Sequence, residues 1–361
     1  VNELGRELKR RIEFEGPIPV SAFMQAALYH PTLGYYRRSK PPIGACGDYI
    51  TAPEVSQMFG ELIGVWCVDL WRRMGAPKGV HLVEFGPGRG TLLKDLLRAV
   101  ARFSPFRESI ELHLVEISPS LRAAQKRLLR GETPHWHDDF SEIPPGPAIV
   151  IANEFFDALP IRQFVRRQDG WFERCVGLDD KGGFCFVTAL KPADLSEELS
   201  ARERPSQAPL GGIIEISAQA RALAGDIAAR IARSGGGALI IDYGPSRSDL
   251  GESLQAVHRH RSQEILARPG EVDLSAHVDF AALAAAARAE GCAVFGPIPQ
   301  GVWLERMGIA ARARALKAAA RSRRPAIEAA LTRLTAPTAM GLLFKVLALV
   351  PPKLGSPAGF G

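Results

Sequence analysis

Val80-His-Leu-Val-Glu-Phe-Gly-Pro-Gly-Arg-Gly-Thr-Leu-Leu-Lys-Asp-Leu-Leu-Arg98 joins a short apolar run, a turn with three glycines in five positions and an amphipathic run. That succession reads as strand, tight loop and helix. Glycines at 86, 88 and 90 let backbone approach a ligand closely, and the following helix offers free N–H groups toward it. The spacing is G-x-G-x-G rather than the G-x-G-x-x-G of dinucleotide folds, which disfavours a nicotinamide cofactor.

Outward from this stretch, strands and helices alternate. Leu82–Phe85, Glu111–Glu116, Pro134–His137 and Ala148–Ala152 read as strands, with helices at Thr91–Val100 and Ser120–Arg130. The rhythm returns with a helix at Ala218–Arg233, a strand at Ala238–Asp242, a helix at Phe280–Glu290 and strands at Cys292–Phe295 and Leu342–Val350. Such alternation predicts an α/β, Rossmann-like parallel sheet with its ligand at the carboxyl ends of the strands. Upstream, 2–15 and 19–30 read as helices, followed by a turn-rich loop and one long helix from Val55 to Arg73. Three β-type segments between 162 and 188, split by Gln-Asp-Gly and Asp-Asp-Lys-Gly-Gly, have hairpin chemistry. Residues 192–209 and 258–268 read as irregular surface loops, and Ala310–Arg321 and Pro325–Leu334 as Ala/Arg-rich helices. The expected organisation is a helical extension with a pocket-covering loop (1–78), the first half of the core (79–160), a β-rich insertion (161–216) and the second half of the core (217–361), with a helical insertion at about 303–335.

Composition narrows the class. A net charge of +6 comes from scattered arginines rather than one basic block, so no nucleic-acid partner is expected. No apolar run approaches the ~20 residues a spanning helix requires, so stable membrane insertion is not expected. The first residues are charged, and no targeting segment is read in them. The five cysteines form no CxxC pair, consistent with buried thiols in a reducing compartment. Homo-oligomerisation is left open.

Candidate chemistry gathers at the strand tips. Glu116 ends the second strand, where nucleoside-binding folds place a carboxylate against the ribose hydroxyls. Asp138 and Asp139 follow the third strand, either meeting an adenine amino group or forming a plain acidic turn. Asn153-Glu154-Phe155-Phe156-Asp157 leaves the fourth strand with an amide and two carboxylates on the ligand edge. Helix capping by Asp157 is the structural alternative to a part in substrate handling. Asp242 and Tyr243 end a later strand on the same edge, lining the pocket or turning the chain. Two His-x-His pairs, His135/His137 and His258/His260, lack cysteine partners at zinc spacing, and no metal site is expected. No G-x-S-x-G, H-E-x-x-H or P-loop lysine supports a hydrolase or nucleoside triphosphatase.

Together these residues resemble the MidA-like family of S-adenosylmethionine-dependent methyltransferases, which includes a mitochondrial complex I assembly factor that methylates arginine. The resemblance lies in His30-Pro-Thr-Leu-Gly-Tyr-Tyr36, Gly47-Asp-Tyr-Ile-Thr-Ala-Pro-Glu54, Glu84-Phe-Gly-Pro-Gly-Arg-Gly-Thr91, Val115-Glu-Ile-Ser-Pro119, Ala152-Asn-Glu-Phe-Phe-Asp-Ala-Leu-Pro160, Ile241-Asp-Tyr-Gly244, His277-Val-Asp-Phe280 and Met340-Gly-Leu-Leu-Phe-Lys-Val346. It implies a seven-stranded sheet with an antiparallel last strand and S-adenosyl-L-methionine as cofactor. Gly86, Gly88 and Gly90 would lie under its methionine and ribose parts, Glu84 near its ammonium and Glu116 on the ribose. Residues Asp48, Thr51 and Glu54 of the N-terminal loop would close over the pocket.

The implied reaction methylates an arginine nitrogen of a protein, by resemblance a respiratory complex I subunit or its bacterial equivalent. The expected location is the bacterial cytoplasm, or the mitochondrial matrix in a eukaryote. A carboxylate fork of Glu154 and Asp157 beside Asn153 would orient the guanidinium, with Asp48 or Glu54 as second choices. The rival reading is an assembly chaperone or scaffold that keeps the fold and docks a partner on Trp171, Phe172 and Phe184.

Overall fold

The strand before the glycine loop runs from Val80 to Phe85, and all six of its residues are buried. A strand reads as a nearly continuous apolar run when helices cover both faces of its sheet, as they do here. The computed structural model describes residues 2–37, 44, 47, 48, 50–196 and 208–361. In chain order the main sheet comprises β1 (Val80–Phe85), β2 (Ile110–Val115), β3 (His135–His137), β4 (Ala148–Asn153), β5 (Gly236–Tyr243), β6 (Ala293–Pro299) and β7 (Phe344–Val350). Their spatial order is β3-β2-β1-β4-β5-β7-β6. The first five are parallel, and β7 runs antiparallel to both β5 and β6. Strand order reverses between β1 and β4, which opens a crevice at their carboxyl ends.

Alternate residues of each strand feed separate cores. Leu82, Leu112, Ile149 and Ile151 pack with Leu62, Ile63, Trp66, Leu92 and Leu96 of helices Gln57–Arg73 and Thr91–Val100. Val83, Val150 and Ile240 pack on the other face with Ile227, Ile231 and Leu283 of helices Ala218–Ser234 and Phe280–Ala289. Glu61 sits in the first layer, where burial alone would raise its pKa. Hydrogen bonds from Arg312 (2.7 and 2.8 Å) and Arg98 (3.0 Å) override burial and hold it below the ordinary carboxylate value. The three side chains pin the helix Ile309–Ala319 to the core.

Several elements differ from the sequence expectation. The helix expected from Val55 to Arg73 is two helices, Ala52–Val55 and Gln57–Arg73. Ser56 between them is extended, and its Oγ accepts the Met58 N–H at 3.2 Å as an N-cap. The β-type segments form a five-stranded sheet of Ile18–Pro19, Arg162–Arg167, Gly170–Leu178, Phe184–Ala193 and Ile213–Ile216. The strand Phe184–Ala193 begins the stretch expected to be irregular at 192–209, of which 197–207 lies outside the described residues. Trp171 and Phe172 are 5% and 6% exposed in this sheet, Trp171 in a core with Phe164 and Ile214 and Phe172 under the Arg167 guanidinium, so they are no docking surface. Phe184 packs edge-on to Phe23.

The segment 258–268 is not irregular at its start. Gln255–His258 and Arg261–Gln263 pair as a hairpin, with Arg259 and His260 at φ 49° and 60° in its tight turn. The turn lacks the Asn-Gly type of signal that would have announced it. The last strand begins at Phe344, preceded by a helical turn Met340–Leu343, and the helical insertion expected at about 303–335 starts three residues earlier with a helix at Gln300–Arg306.

Helices Gln57–Arg73 and Thr91–Val100 approach closely at Gly60, where an added Cβ would lie 2.8 Å from Leu92 O and 2.9 Å from Asp95 Cβ. Helix propensity alone favours Ala over Gly by about 1 kcal/mol. Packing opposes it, and the expected result for Gly60→Ala is a loss of about 1–3 kcal/mol in urea unfolding. A gain in stability would show that the helices separate freely.

Candidate active site

The turn after β1 is built by close contact. Gly86 has φ 53°, donates to Val115 O at 2.9 Å, and would place a Cβ 2.9 Å from the Phe155 ring. Gly88 and Gly90 also take positive φ, and Gly90 leads directly into the helix Thr91–Val100. Gln125, fully buried on the helix Pro119–Leu128, ties this turn to β2. Its Nε2 donates to Gly88 O (2.7 Å) and Glu116 Oε2 (3.2 Å), while its Oε1 accepts from Trp136 Nε1 (2.8 Å). Sequence reading passed over Gln125, whose only signal is a polar residue one helical turn after the buried Leu121.

Thr51, Pro53, Glu54, Glu84, Gly86, Gly88, Asn153 and Glu154 line one narrow cleft between the ends of β1 and β4. Glu84 is buried there, and its Oε2 has no hydrogen-bond partner. Burial, then repulsion from Glu116, pushes its pKa up to about 8. Burial likewise lifts Glu116 to about 7, against the opposing N–H of Ser118 (2.8 Å) and the Gln125 amide. Asn153 Oδ1 is a second buried acceptor without a partner. Arg37 donates to Ile117 O at 2.7 Å, but its buried Nε has no partner. Two unpartnered buried acceptors, Glu84 Oε2 and Asn153 Oδ1, in a cleft lined by the glycine turn suit a ligand that brings hydrogen-bond donors.

The segment before Gln57–Arg73 closes one side of the cleft. Ala52 N–H donates to Glu154 Oε1 at 2.8 Å, and Thr91 Oγ1 donates to Glu54 Oε1 at 2.5 Å. Arg89 lies 3.5 Å from Glu54. These bonds tie the segment to β4 and to the glycine turn.

An acidic cluster of buried Asp242 with half-buried Glu154, Asp157 and Asp273 adjoins the cleft. Glu154 holds φ 50°, a left-handed conformation costly for a residue with a Cβ, and accepts from both Ala52 N–H and Asn153 Nδ2. Asp242 explains how that strain is held. Its Oδ2 accepts the N–H groups of Phe155, Phe156 and Asp157 at 3.1, 2.9 and 3.2 Å, and its Oδ1 accepts that of Tyr243 at 2.9 Å. Asp242 thus positions the loop rather than lining the cleft, because its oxygens are taken by backbone. Burial raises Glu154 to about 7 and Asp157 to about 6, and drives Asp242 and Asp273 well above the ordinary range. Among the described residues, no Lys or Arg forms an ion pair with Glu154, Asp157 or Asp273. Phenols surround the cluster instead: Tyr243 lies beside Asp157 and helps to stabilise its charged form, Tyr36 reaches Asp273 at 3.4 Å, and Tyr29 donates to Ala158 O at 3.0 Å. Tyr29, Tyr36 and Asp273 were not singled out from the sequence, since only the fold brings them to β4.

Asp48 is buried nearby, accepting from Tyr35 Oη (2.8 Å) and Arg259 N–H (2.9 Å), with His258 Nδ1 at 3.1 Å. Asp138 and Asp139 do not line the cleft. Asp138 is exposed and paired with Arg122 at 2.7 Å, and Asp139 accepts from Ser141 N–H at 2.9 Å as the cap of a turn.

Comparison with known proteins agrees with this geometry. Residues 62–298 match a family described as "Putative S-adenosyl-L-methionine-dependent methyltransferase". The chain is similar to protein arginine methyltransferase NDUFAF7, mitochondrial, of Danio rerio, with 36% identity over 86% of this chain and 78% of that protein. It is similar to the Homo sapiens protein of that name at 33% identity, over 97% of this chain and 84% of the relative. A Burkholderia thailandensis crystal structure bound to S-adenosyl-homocysteine superposes with a TM-score of 0.85 and 26% identity, covering 99% of this chain and 93% of that one.

Two outcomes are expected for S-adenosylmethionine binding. At pH 7 Glu84 is mostly protonated, and an ammonium beside it favours the ionised form, so binding releases a proton. Calorimetry in buffers of different ionisation enthalpy should register that proton for the native protein and not for Glu84→Gln. Equal apparent enthalpies for the native protein would remove Glu84 from the ammonium site. Gln125→Leu frees the glycine turn from Glu116 and leaves buried acceptors unpaired, so affinity should fall by about tenfold or more. Unchanged affinity would make Gln125 a packing residue only.

Proposed function

Because the chain belongs to the S-adenosyl-L-methionine-dependent methyltransferase family, we propose that it methylates an arginine side chain of a protein, with the acidic cluster at the ends of β4 and β5 receiving the guanidinium. The observation that carries this reading is a cluster of half-buried and buried carboxylates in which, among the described residues, Glu154, Asp157 and Asp273 form no ion pair with Lys or Arg. Burying several acids together is costly unless a cation joins them. Arginine stays protonated, and its planar fork matches paired carboxylates. The printed names of the relatives, protein arginine methyltransferase, support the same substrate class.

The cofactor, when bound, supplies an electrophilic methyl group on its sulfonium. The residues of this chain contribute binding and alignment. Glu84, Asn153, Gln125 and the glycine turn hold the donor, and Glu116 takes the ribose side. Glu54 and Glu154 hold the 51–54 segment over the cleft, which excludes water. Glu154 and Asp157 grip the guanidinium by charge-assisted hydrogen bonds and orient one nitrogen for in-line attack. Transfer would break the methyl–sulfur bond, its electron pair going to sulfur, as the N–C bond forms, and the nitrogen would lose a proton that a carboxylate with a pKa of about 6 or 7 is suited to accept.

By the resemblance of its strand-tip motifs, the substrate is a subunit of respiratory complex I or its bacterial counterpart. The protein then works in the bacterial cytoplasm or the mitochondrial matrix. No helix of the described residues is long and apolar enough to cross a membrane. The four regions read from the sequence serve one site in this reading: 1–78 covers it, 79–160 and 217–361 form it, and 161–216 flanks it. A scaffold without chemistry gains nothing from uncompensated acids beside a donor cleft.

Incubation of the protein with methyl-labelled S-adenosylmethionine and a cell lysate should label a protein on arginine. Glu154→Gln should preserve cofactor affinity and lower turnover by about 10²-fold or more. Turnover of the native enzyme should rise as pH increases through 6–7, because ionisation of Asp157 and Glu154 creates the grip. Full activity of Glu154→Gln, or a rate that falls across that interval, would contradict the assignment.

A further inference from the structure

A second constellation lies toward the amino ends of the strands, away from the cleft. Among the described residues, one group of three metal-ligating side chains converges: His81, Glu111 and His113. Parallel pairing sets His81 opposite Glu111, and His113 two residues along the same face of β2. Sequence reading weighed only His-x-His pairs and missed them, since their proximity comes from strand pairing.

The separations fit one small ion. His81 Nδ1 and His113 Nε2 are 2.9 Å apart, and Glu111 Oε2 lies 3.6 and 3.9 Å from them. A point equidistant from all three atoms in their plane is about 2.0 Å from each, within the range of zinc bonds to nitrogen and oxygen.

The outer nitrogens also have suitable partners. His81 Nε2 faces Pro145 O at 3.4 Å, and His113 Nδ1 faces His137 Nε2 at 2.9 Å. His137 Nδ1 lies 3.7 Å from Glu142 Oε2. If each imidazole carries its single proton on the outer side, both inner nitrogens present lone pairs to the same point. Backbone carbonyl and side-chain acceptors fix the tautomers of metal-bound histidines in this way. The two imidazoles are buried and the Glu111 side chain is 57% exposed, which gives the ion a route from solvent and a position for water.

We propose that His81, Glu111 and His113 bind one divalent transition-metal ion of the zinc class, with water completing a four-coordinate site. The ion bridges β1 and β2, and by binding only the folded chain it raises stability by mass action. No redox change or bond cleavage is involved.

The test is calorimetry of the chelator-treated full chain with zinc chloride, together with visible absorption after addition of cobalt(II). The expected result is one ion per chain and the intense absorption of four-coordinate cobalt. Affinity should drop by at least about tenfold in Glu111→Gln and further in His113→Gln. Unchanged binding of S-adenosyl-homocysteine shows that each variant is folded. If His113→Gln does not fold, the exposed Glu111→Gln decides alone. No uptake by the native chain, or uptake undiminished in Glu111→Gln, overturns the site.

Discussion

The constraint on which the site depends is the crowding of desolvated carboxylates at the carboxyl edge of the sheet. Glu84, Glu116 and Asp242 are buried, Glu154, Asp157 and Asp273 are half-buried, and all six have raised pKa values. Each such shift means that the folded chain keeps protons the unfolded chain has already released at ordinary carboxylate values, so these groups weaken the ligand-free fold as pH rises from about 4 up to their raised values of about 6–8. Two hydrophobic layers, one on either side of the sheet, supply the stability that makes this tolerable. In the proposed complex a cationic donor beside Glu84 and a guanidinium beside Asp157 would relieve it.

The cluster persists because backbone geometry over-determines it. Asp242 spends both oxygens on four backbone N–H groups, which fixes the chain from Phe155 to Asp157 and leaves Glu154 in its left-handed conformation. Glu154 in turn accepts Ala52 N–H, so the tip of β4 and the covering segment form one unit. Gln125 does the same for the glycine turn and Glu116. Buried amides and acids thus set the positions of the groups that meet ligands.

Much of this was legible in the sequence where local pattern and chemistry coincide. The glycine turn, the acid ending β2 and the Asn-Glu-Phe-Phe-Asp run stand at strand ends, and α/β folds bring strand ends together whatever lies between. Hence Glu84, Asn153 and Glu154 share a cleft that no spacing rule could measure. Asp138 and Asp139 follow a strand too, yet Arg122 and Ser141 engage their side chains locally. Gln125, Tyr29, Tyr36 and Asp273 were invisible because each reaches the site from a distant element. The 259–260 turn escaped notice because Arg and His there adopt a conformation usually left to Gly and Asn. His81 and His113 illustrate the same limit: strand register, absent from the sequence, makes them neighbours.

The account is tested most directly by asking whether the acidic cluster recognises charge. The protein loaded with S-adenosyl-homocysteine would be titrated calorimetrically with N-acetyl-arginine amide and with N-acetyl-citrulline amide, matched in size and shape and different in charge. Saturable binding of the arginine compound, accompanied by proton release at pH 6.5 and absent for the citrulline compound, is the predicted result. Equal binding of the two, or binding of neither, would contradict the claim that the buried carboxylates await a guanidinium.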